Sequence, residues 1–371
     1  MRVLLCSPYS ASAQYVQGGI AIWARNIIDY YQTLDTDITI QVAPFDRKVR
    51  TNTRVKESFL KRVLYGISEY RQILNETRKH LAENSYDVLH LCTSASISLL
   101  KDVLVLKMAK RRGIRTVVHF HFGRIPELIK HPNWEWRLLR RVIDLADAAV
   151  VMDLKSYEDL LNQHCQNIHY LPNPLSRSNK RQILNESITI SREAFRLCFV
   201  GHVIPSKGVF ELVKACRQID GIVLHVVGKV TEGVRAQMEQ ISEGGSWLCF
   251  DGEVDHQRVI REMLSSSIFI LPTYTEGFPN VILESMACGC AIVTTPVGAI
   301  PEMLSINSSE PCGLCCEPKD VEGLRRNIQF FLDHPTDARQ YAERAVRRVN
   351  EMYAVENVWK QLVGIWKGVK R

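Results

Sequence analysis

The feature that most constrains this fold is the alternation of short, almost wholly apolar segments with longer amphipathic ones. Strands of a parallel sheet are covered by helices on both faces, so they form continuous apolar runs instead of alternating ones. The pattern therefore predicts parallel sheets with helices packed on both faces. The predicted strands lie at 3–8, 37–43, 87–91, 116–122, 148–152, 168–172, 196–201, 222–228, 247–252, 268–273, 291–295 and 313–316.

These strands fall into two groups, separated by a polar stretch at 172–195 that has no strong periodicity. A chain of 371 residues is too long for one ordinary core. We therefore expect two doubly wound, Rossmann-like α/β domains, 1–175 and 176–350, followed by a last helix in 351–371. Such sheets bind ligands at the carboxyl ends of their strands, so we expect the two domains to face each other across a cleft that holds the active site.

Composition excludes several classes of protein. With 46% hydrophobic and 23% charged residues, the chain is globular and not disordered. Its first ten residues read as a strand and not as a signal peptide, and it has no apolar run of about eighteen residues, which predicts a cytoplasmic protein. The 11 cysteines are odd in number and irregularly spaced, which favours a reducing compartment over a disulfide framework.

The positive charge is concentrated in the first half of the chain. Residues 1–175 contain 24 Lys and Arg against 17 Asp and Glu, which accounts for the whole net charge of +7. Within segment 47–79 there are ten basic and three acidic residues, and the apolar spacing from Phe59 is helical. Two interpretations stay open: a solvated helix that covers the sheet, or a surface that meets anionic lipid or a lipid-linked acceptor at the inner face of the membrane. We expect no nucleic-acid partner.

Two glutamates, Glu276 and Glu284, stand eight positions apart in the stretch EGFPNVILE. A strand precedes them, Gly277 suits a turn, and Pro279 favours the first turn of a helix. The free amides and the dipole at a helix start suit a phosphate, and carboxylates accept hydrogen bonds from sugar hydroxyls. The pair therefore indicates a ligand that carries both phosphate and hydroxyl groups.

Glu276 and Glu284, with GFPNV between them, resemble the E-x7-E signature of the family 4, group 1 glycosyltransferases, which are retaining enzymes with the GT-B fold. The sequence FVGHVIPSKGVFELVKA (199–215) resembles the strand, glycine, Lys-Gly turn and helix of that family. QGGIAIWARNI and YLPNPL resemble its N-terminal loop and its linker. The resemblance implies transfer of a hexose from a nucleoside-diphosphate sugar to an acceptor hydroxyl, with retention, in the assembly of a bacterial-type surface polysaccharide or glycolipid.

The resemblance also implies roles for individual residues. Lys207 is expected to bind the donor diphosphate, Glu284 the ribose hydroxyls and Glu276 the donor sugar. His121 is expected beside the reacting sugar, which gives Glu276, His121 and Lys207 as the catalytic residues. The other expected donor-binding residues are Gly18, Gly19, Gly201, His202, Gly277, Phe278, Pro279 and Asn280, with Gly19 letting the first loop approach the diphosphate.

The chain departs from the family pattern at two positions. His202 stands where the family usually has arginine, and a neutral imidazole binds phosphate more weakly than a guanidinium does. Pro174 stands where a glycine is usual in the linker, which predicts a stiffer hinge. His119 and His121 point the same way in a strand, so which of them faces the donor stays open.

We expect neither a cofactor nor a metal ion. The second domain has no Asp-x-Asp at a strand end, and Lys207 with helix amides can neutralise a leaving diphosphate. The cysteines of ACGC and CGLCC have spacings that zinc sites use, but small apolar residues in a buried strand explain them better.

Other classes of enzyme that use similar folds or paired carboxylates need different sequence motifs. A dinucleotide oxidoreductase needs Gly-x-Gly-x-x-Gly directly after a strand, whereas here a long loop with two glycines follows the first strand. A paired-carboxylate hydrolase would use both glutamates across one glycosidic bond. A nucleotide-sugar epimerase or a non-catalytic nucleotide-sugar-binding protein on the same fold stays open. In the last helix, Trp359, Leu362, Val363 and Trp366 form one stripe, which we expect to pack on the first domain as in the resembled family.

Overall fold

A computed structural model describes residues 1–9, 18–44 and 59–368. The chain divides into two compact units: Met1–Pro174 together with Val355–Arg371, and Leu175–Ala354. Each unit contains a six-stranded parallel sheet with helices around it, which confirms the predicted α/β class.

The strands are β1 Arg2–Ser7, β2 Thr39–Pro44, β3 Val88–Thr93, β4 Arg115–Phe120, β5 Ala148–Val151, β6 Ile168–Tyr170, β7 Glu193–Val200, β8 Val223–Val227, β9 Leu248–Gly252, β10 Ser266–Leu271, β11 Ala291–Thr294 and β12 Leu314–Cys315. The helices are α1 Gly19–Tyr31, α2 Phe59–Glu83, α3 Ser98–Lys110, α4 Ile125–Lys130, α5 Trp134–Leu145, α6 Leu154–Asn162, α7 Arg177–Glu186, α8 Val209–Cys216, α9 Glu232–Ile241, α10 His256–Ser265, α11 Asn280–Ala287, α12 Ile300–Met303, α13 Val321–Asp333, α14 Pro335–Met352 and α15 Val355–Gly368. Every predicted strand is present, with small shifts at its ends.

The sheet of the first unit has the strand order β2-β1-β3-β4-β5-β6. Strand β1 pairs on both sides, with Val3 opposite Ile40 of β2 and also opposite Val88 of β3. Residues of β3 are buried throughout, as a strand covered on both faces must be. The apolar residues divide into two clusters, one on each face of the sheet.

Helix α15 completes one of these clusters. Its side chains Trp359, Leu362 and Trp366 are buried in the same cluster as Trp23 of α1. Trp366 Nε1 donates a hydrogen bond to His90 Nδ1 at 3.0 Å, which ties the helix to the middle of the sheet. The prediction that the last helix packs on the first domain is confirmed.

The sheet of the second unit has the order β12-β11-β10-β7-β8-β9. The chain starts in the middle at β7, moves outward to β9, returns to β10 beside β7 and then moves outward on the other side. Because the direction of winding reverses there, β7 and β10 flank the topological switch point, where open α/β sheets bind their ligands. The ligand site is therefore expected in the segments that follow these two strands.

The polar stretch 172–195 is more ordered than its sequence indicates. It contains helix α7, whose first turn is capped by Ser176 Oγ, accepting from the Asn179 amide at 3.0 Å. Only Ile183 of this helix is buried, so its sequence has almost no apolar period. The stretch that joins the two predicted domains therefore contains a capped helix, which its weak periodicity did not indicate.

The basic segment 47–79 lies partly outside the described residues, which exclude 45–58. The structure has helix α2 over the rest of it, and from Tyr70 onward its side chains can be followed. Ile73 and Leu81 are buried against the sheet, whereas Arg71, Arg78 and Lys79 are exposed. This part of the helix is amphipathic with a basic outer face.

All 11 cysteines are free, and eight of them are buried. Burial raises the pKa of those in the sheets, as at Cys6, whose thiol has a pKa of about 12, so they remain thiols and pack as small apolar groups. Among the described residues, no helix has both the length and the apolar composition needed to cross a bilayer.

Candidate active site

Two oppositely charged side chains meet at the switch point of the second unit. Lys207 ends a 3-10 turn, Pro205–Lys207, which follows β7, and Glu276 lies in the turn that follows β10. Lys207 Nζ is paired with Glu276 Oε1, and both side chains are largely but not fully buried. Residues 69 positions apart in sequence thus form one ion pair at the place where the fold predicts a ligand.

Backbone contacts hold the two turns against each other. The Tyr274 amide donates to the Ser206 carbonyl at 2.9 Å, which joins the turn after β10 to the turn after β7. Gly208 has a φ of 69°, and a Cβ there would lie 2.0 Å from the Pro272 carbonyl oxygen. Only glycine allows this approach, so the Lys-Gly pair of the sequence fixes where Lys207 is placed.

The turn at Glu276 is supported from its other side by a second glycine. A Cβ on Gly298 would lie 2.3 Å from the Glu276 carbonyl oxygen, and φ at Gly298 is 57°. The next residue, Ala299, donates its amide to the Gly277 carbonyl at 2.8 Å. The backbone around Glu276 is therefore fixed by close packing on both sides.

Helix α11 begins directly after this turn, with Pro279 as its N-cap residue and Asn280 as its first residue. This is the helix start that the sequence predicts. Phe278 is buried, and its ring packs edge-on against Tyr353 with the centroids 5.7 Å apart. The side chain of Phe278 therefore anchors the turn, which leaves its backbone for the expected contact with a ligand.

Glu284 lies one turn further along α11 and is buried. Its Oε1 is 2.9 Å from His256 Nε2 at the start of α10, and it accepts from Asn179 Nδ2 of α7 at 3.2 Å. The hydrogen bond to Glu284 raises the pKa of His256 above its ordinary value. The Glu284 carboxylate is thus held in one orientation by two other helices.

His256 and Asn179 were not among the residues predicted from the sequence. His256 follows Asp255, whose side chain caps α10, and this capping signal places the imidazole in the first turn of the helix. Asn179 lies 105 positions before Glu284 in a segment that the sequence presents as irregular. The capping pattern could have located His256, whereas Asn179 has no local signal.

Gly201 and His202 follow β7 at the same edge of the sheet. The Gly201 amide donates to the Val227 carbonyl at 3.0 Å, and a Cβ on Gly228 would lie 1.8 Å from the Gly201 carbonyl oxygen. His202 is exposed. The structure therefore places both predicted residues beside the Lys207 turn, with the imidazole accessible to a ligand.

The glycine loop of the first unit precedes α1. Gly18 has a φ of 92°, and a Cβ on either Gly18 or Gly19 would meet no atom within 4 Å. The conformational need for glycine therefore falls on Gly18, because its φ lies in the left-handed region. At Gly19 none of the described residues comes close enough to demand glycine.

His121 and His119 have rings only 3.9 Å apart but lie on different sides of the end of β4. His119 lies within β4 and is fully buried, with its ring 4.8 Å from that of Trp23. His121 follows the end of β4, is only half-buried and donates its amide to the Thr93 carbonyl at 2.8 Å. Burial lowers the pKa of His121 to about 3, so its imidazole is neutral at pH 7. Of the two, His121 lies at the carboxyl edge of the sheet.

Within the described residues, two groups bring three potential metal ligands within 4.8 Å of one another: His90, Cys92 and His119, and His225, Asp251 and Glu262. In the first, His90 Nδ1 accepts the Trp366 proton, so a neutral ring carries its own proton on Nε2 and offers no lone pair there. In the second, Glu262 is already paired with Arg196 and Arg258. Ion pairing with arginine thus accounts for the carboxylate of the second group, and the Trp366 hydrogen bond occupies Nδ1 of His90 in the first.

Two family models match consecutive parts of the chain. The Glycosyltransferase Family 4 model matches residues 17–178, and the Glycosyl transferases group 1 model matches residues 180–348. The glycogen synthase of Mycobacterium tuberculosis is 26% identical over 183 residues, which cover 47% of this chain and 43% of that enzyme. The matched part thus spans less than half the length of this relative.

Solved structures match over almost the whole chain. Sucrose-phosphate synthase from Thermosynechococcus elongatus superposes with a TM-score of 0.74 at 16% identity, covering 99% of this chain and 98% of that one. Anabaena Alr3699/HepE in complex with UDP-glucose gives a TM-score of 0.67 at 15% identity, covering 99% of both chains. At such identities the likeness concerns the fold.

The two six-stranded parallel sheets with their surrounding helices, together with the likeness to these structures, define an α/β protein of the GT-B fold class. With both family models matched in order along the sequence, the chain belongs to the family 4, group 1 glycosyltransferases.

Proposed function

We propose that this protein transfers a hexose from a nucleoside-diphosphate sugar to an acceptor hydroxyl, with retention of configuration at the anomeric carbon. The observation that supports this most directly is the Lys207–Glu276 pair at the switch point of the second unit. An ammonium and a carboxylate placed side by side match the two parts of such a donor, an anionic diphosphate and a hydroxyl-rich sugar.

Lys207 supplies positive charge for the diphosphate. As the bond to the sugar breaks, negative charge grows on the leaving phosphate, and a fixed cation nearby stabilises that charge. The amide end of α11, at Asn280, adds a partial positive charge. With these groups in place the reaction proceeds without a metal ion or a cofactor.

Glu276 and Glu284 act on different parts of the donor. Glu276, paired with Lys207, accepts hydrogen bonds from the sugar, and Glu284 accepts them from the ribose hydroxyls. Because His256 and Asn179 already orient the Glu284 carboxylate, little conformational freedom is lost when the ribose binds. Anabaena HepE, a structural relative, was solved with UDP-glucose, which supports a nucleotide-sugar as the donor.

His121 is a hydrogen-bonding group and not a general base. Its low pKa makes it a poor proton acceptor at pH 7, while a neutral ring can still donate to or accept from a sugar hydroxyl. The departing phosphate takes the acceptor proton on the same face of the sugar, which gives retention without a dedicated base.

The acceptor belongs to a surface polysaccharide or glycolipid under assembly. The basic outer face of α2 supports this part of the proposal, because a lipid-linked acceptor lies at an anionic surface. Segment 47–79 then draws the protein to the inner face of the membrane.

Product analysis tests the transfer. The protein is incubated with UDP-[14C]glucose or another labelled nucleotide-sugar and a membrane lipid extract, and the products are separated. Label in a lipid or oligosaccharide product, with an α-linkage when the donor is α, supports retaining transfer. Label in an epimeric nucleotide-sugar supports an epimerase, and unchanged donor that stays bound supports a non-catalytic binding protein.

A thermal-shift screen selects the donor for that experiment. A ligand present at a hundred times its dissociation constant stabilises the folded state by about 2.7 kcal/mol, which is readily seen as a higher melting temperature. The nucleotide-sugar that gives the largest shift is the donor to label.

A further inference from the structure

Large apolar side chains on α3 and α5 of the first unit are exposed together. Ile97, Leu100 and Leu104 are 58%, 55% and 48% exposed, and Trp134 is 56% exposed. We call these four residues the apolar patch. Single exposed apolar residues are common on protein surfaces, but several at helical spacing on one face mark an interaction site.

The first turns of the two helices that carry these residues are tied together. The Ser96 amide donates to Glu135 Oε1 at 2.9 Å, and Arg124 pairs with the same carboxylate oxygen at 3.0 Å. Ser96 precedes Ile97, and Glu135 follows Trp134. The buried carboxylate therefore fixes the distance between the two halves of the patch.

Each helix continues from apolar to basic on the same face. On α3 the stripe of Leu100 and Leu104 continues to Lys107 and Arg111, which follow at helical spacing. On α5 the face of Trp134 continues to Arg137 and Arg141, both exposed. The surface thus has an apolar end and a basic end.

We propose that this surface of α3 and α5 inserts its apolar patch into an anionic lipid bilayer. Leucine and isoleucine side chains gain free energy on entering the acyl region, and a tryptophan is favoured at the boundary of that region. The arginines and the lysine then meet phosphate headgroups. A protein partner would match the apolar end equally well, but the adjoining basic band of Lys107, Arg111, Arg137 and Arg141 favours an anionic bilayer.

The position of the patch gives this attachment a purpose that rests on the proposed function. Ile97 follows the carboxyl end of β3, and His121 follows the carboxyl end of the neighbouring β4. The His121 amide bonds to Thr93, four residues before Ile97. The patch therefore lies at the same sheet edge as His121, so an acceptor held by a lipid anchor would be presented close to that edge.

Vesicle flotation without any donor tests the proposal. The full-length protein is mixed with vesicles of equal parts phosphatidylglycerol and phosphatidylcholine, or of phosphatidylcholine alone. We expect the protein to float with the first and not with the second. Ile97→Ser/Leu100→Gln/Leu104→Gln is expected to lower partitioning about a hundredfold, since three large side chains no longer enter the acyl region.

A matched control removes equally exposed apolar residues from the second unit. Leu184→Ser/Ile188→Gln/Phe195→Gln changes side chains that are 60%, 84% and 52% exposed and should float as the wild type does. Arg111→Glu/Arg137→Glu/Arg141→Glu should lose binding at low salt. Melting temperatures equal to that of the wild type show that each variant is folded.

Three results would overturn the proposal. The wild type could fail to float with the anionic vesicles at low ionic strength, or the patch variant could float as well as the control. In the third, sedimentation shows a wild-type dimer that the patch variant cannot form while vesicle binding is unchanged, so the patch joins two copies of the chain. None of these results depends on turnover, so failure of the membrane proposal can be distinguished from failure of the proposed transferase function.

Discussion

The two sheets of this protein have the same architecture, but different kinds of side chain lie at the carboxyl ends of their strands. In the second unit the carboxyl edge carries charges in fixed pairs, Lys207 with Glu276 and His256 with Glu284, on turns packed around glycines. In the first unit the ends of β3 and β4 carry neutral aromatic rings instead, with His119 packed edge-on against Trp23 and His121 beside His119. Under the proposed function, the charged edge suits a ligand of constant structure such as a nucleoside diphosphate, whereas neutral rings set few requirements on the charge of an acceptor.

Replacing the cation at the charged edge should have the largest effect. Lys207→Ala should lower kcat/KM by about a hundred- to a thousandfold, because a fixed group that stabilises the leaving diphosphate is lost. Steady-state kinetics with and without EDTA measure this. Lys214→Ala on the exposed side of α8 is the matched control and should be close to wild type. Wild-type activity that EDTA abolishes and a divalent cation restores would contradict the metal-free mechanism.

Removing the carboxylate of the same pair tests whether Glu276 contacts the sugar and not the diphosphate. Glu276→Ala should lower kcat about a hundredfold while the dissociation constant for the bare nucleoside diphosphate stays near that of the wild type. Kinetics and calorimetric titration give the two numbers. If the diphosphate binds as poorly as it does to the Glu284→Ala protein, the assignment of Glu276 to the sugar is wrong.

Acid should lower the free energy of unfolding through the buried histidines of the first unit. His90 and His119 are fully buried, and burial lowers the pKa of both, that of His90 to about 3. Both are neutral in the folded state but take up protons when the chain unfolds below pH 6.5, so the stability present above pH 6.5 is lost as the pH falls. Each contributes about 1.4 kcal/mol per pH unit, or about a tenfold change in the unfolding equilibrium.

Urea unfolding between pH 7 and pH 5 checks this, with Trp23 and Trp366 beside the two rings as fluorescent reporters. The double variant His90→Gln/His119→Phe should show a flatter pH dependence, even if it is less stable at pH 7. An unchanged slope would mean that these histidines do not set the acid limit.

Glu284→Ala should have a moderate effect. A ribose is present in the donor and in the free nucleoside diphosphate, so both should bind about ten- to a hundredfold more weakly, as expected when hydrogen bonds to a charged group are lost. Calorimetric titration with the nucleoside diphosphate measures this change in affinity. Unchanged affinity would remove Glu284 from the nucleotide site.

His256→Gln should have the smallest effect. The pKa of His256 is raised by Glu284, so the charged pair is fully present below pH 6.5 and is lost as the pH rises through the raised value. Because the imidazole is about half exposed, we expect the variant to be about 0.2–1 kcal/mol less stable at pH 6 and equal to wild type near pH 9. Urea unfolding at the two pH values measures the difference, and a deficit that persists at pH 9 would assign His256 a packing role instead.

The sequence predicts the charged edge better than the neutral one, for physical reasons. The turn and the start of α11 are formed by neighbouring residues, Glu276, Gly277 and Pro279, so one short sequence motif describes both. The pairing of Lys207 with Glu276 follows once β7 and β10 are placed side by side, which the order of parallel strands makes natural. Asn179 could not be predicted, because α7 has almost no apolar period and its contact with Glu284 is purely tertiary.

In the first unit the strands and α1 are predicted, but the contrast between His119 and His121 is not. Alternation along a strand places both side chains on one face, and only the point where β4 ends separates a residue within the strand from one that follows it. Strand ends are the least reliable part of a sequence prediction. The need for glycine at Gly18 instead of Gly19 has the same origin, since it depends on one φ angle.

The return of α15 to the first unit also determines the order in which this chain can fold. Trp366 bonds to His90 across 276 positions, so the cluster that contains Trp23 is incomplete until α15 has been synthesised. The second unit is continuous from Leu175 to Ala354 and can bury its core earlier. On a growing chain the second unit is therefore expected to fold first, although it is made later, while the first unit keeps part of its apolar sheet face open to chaperones.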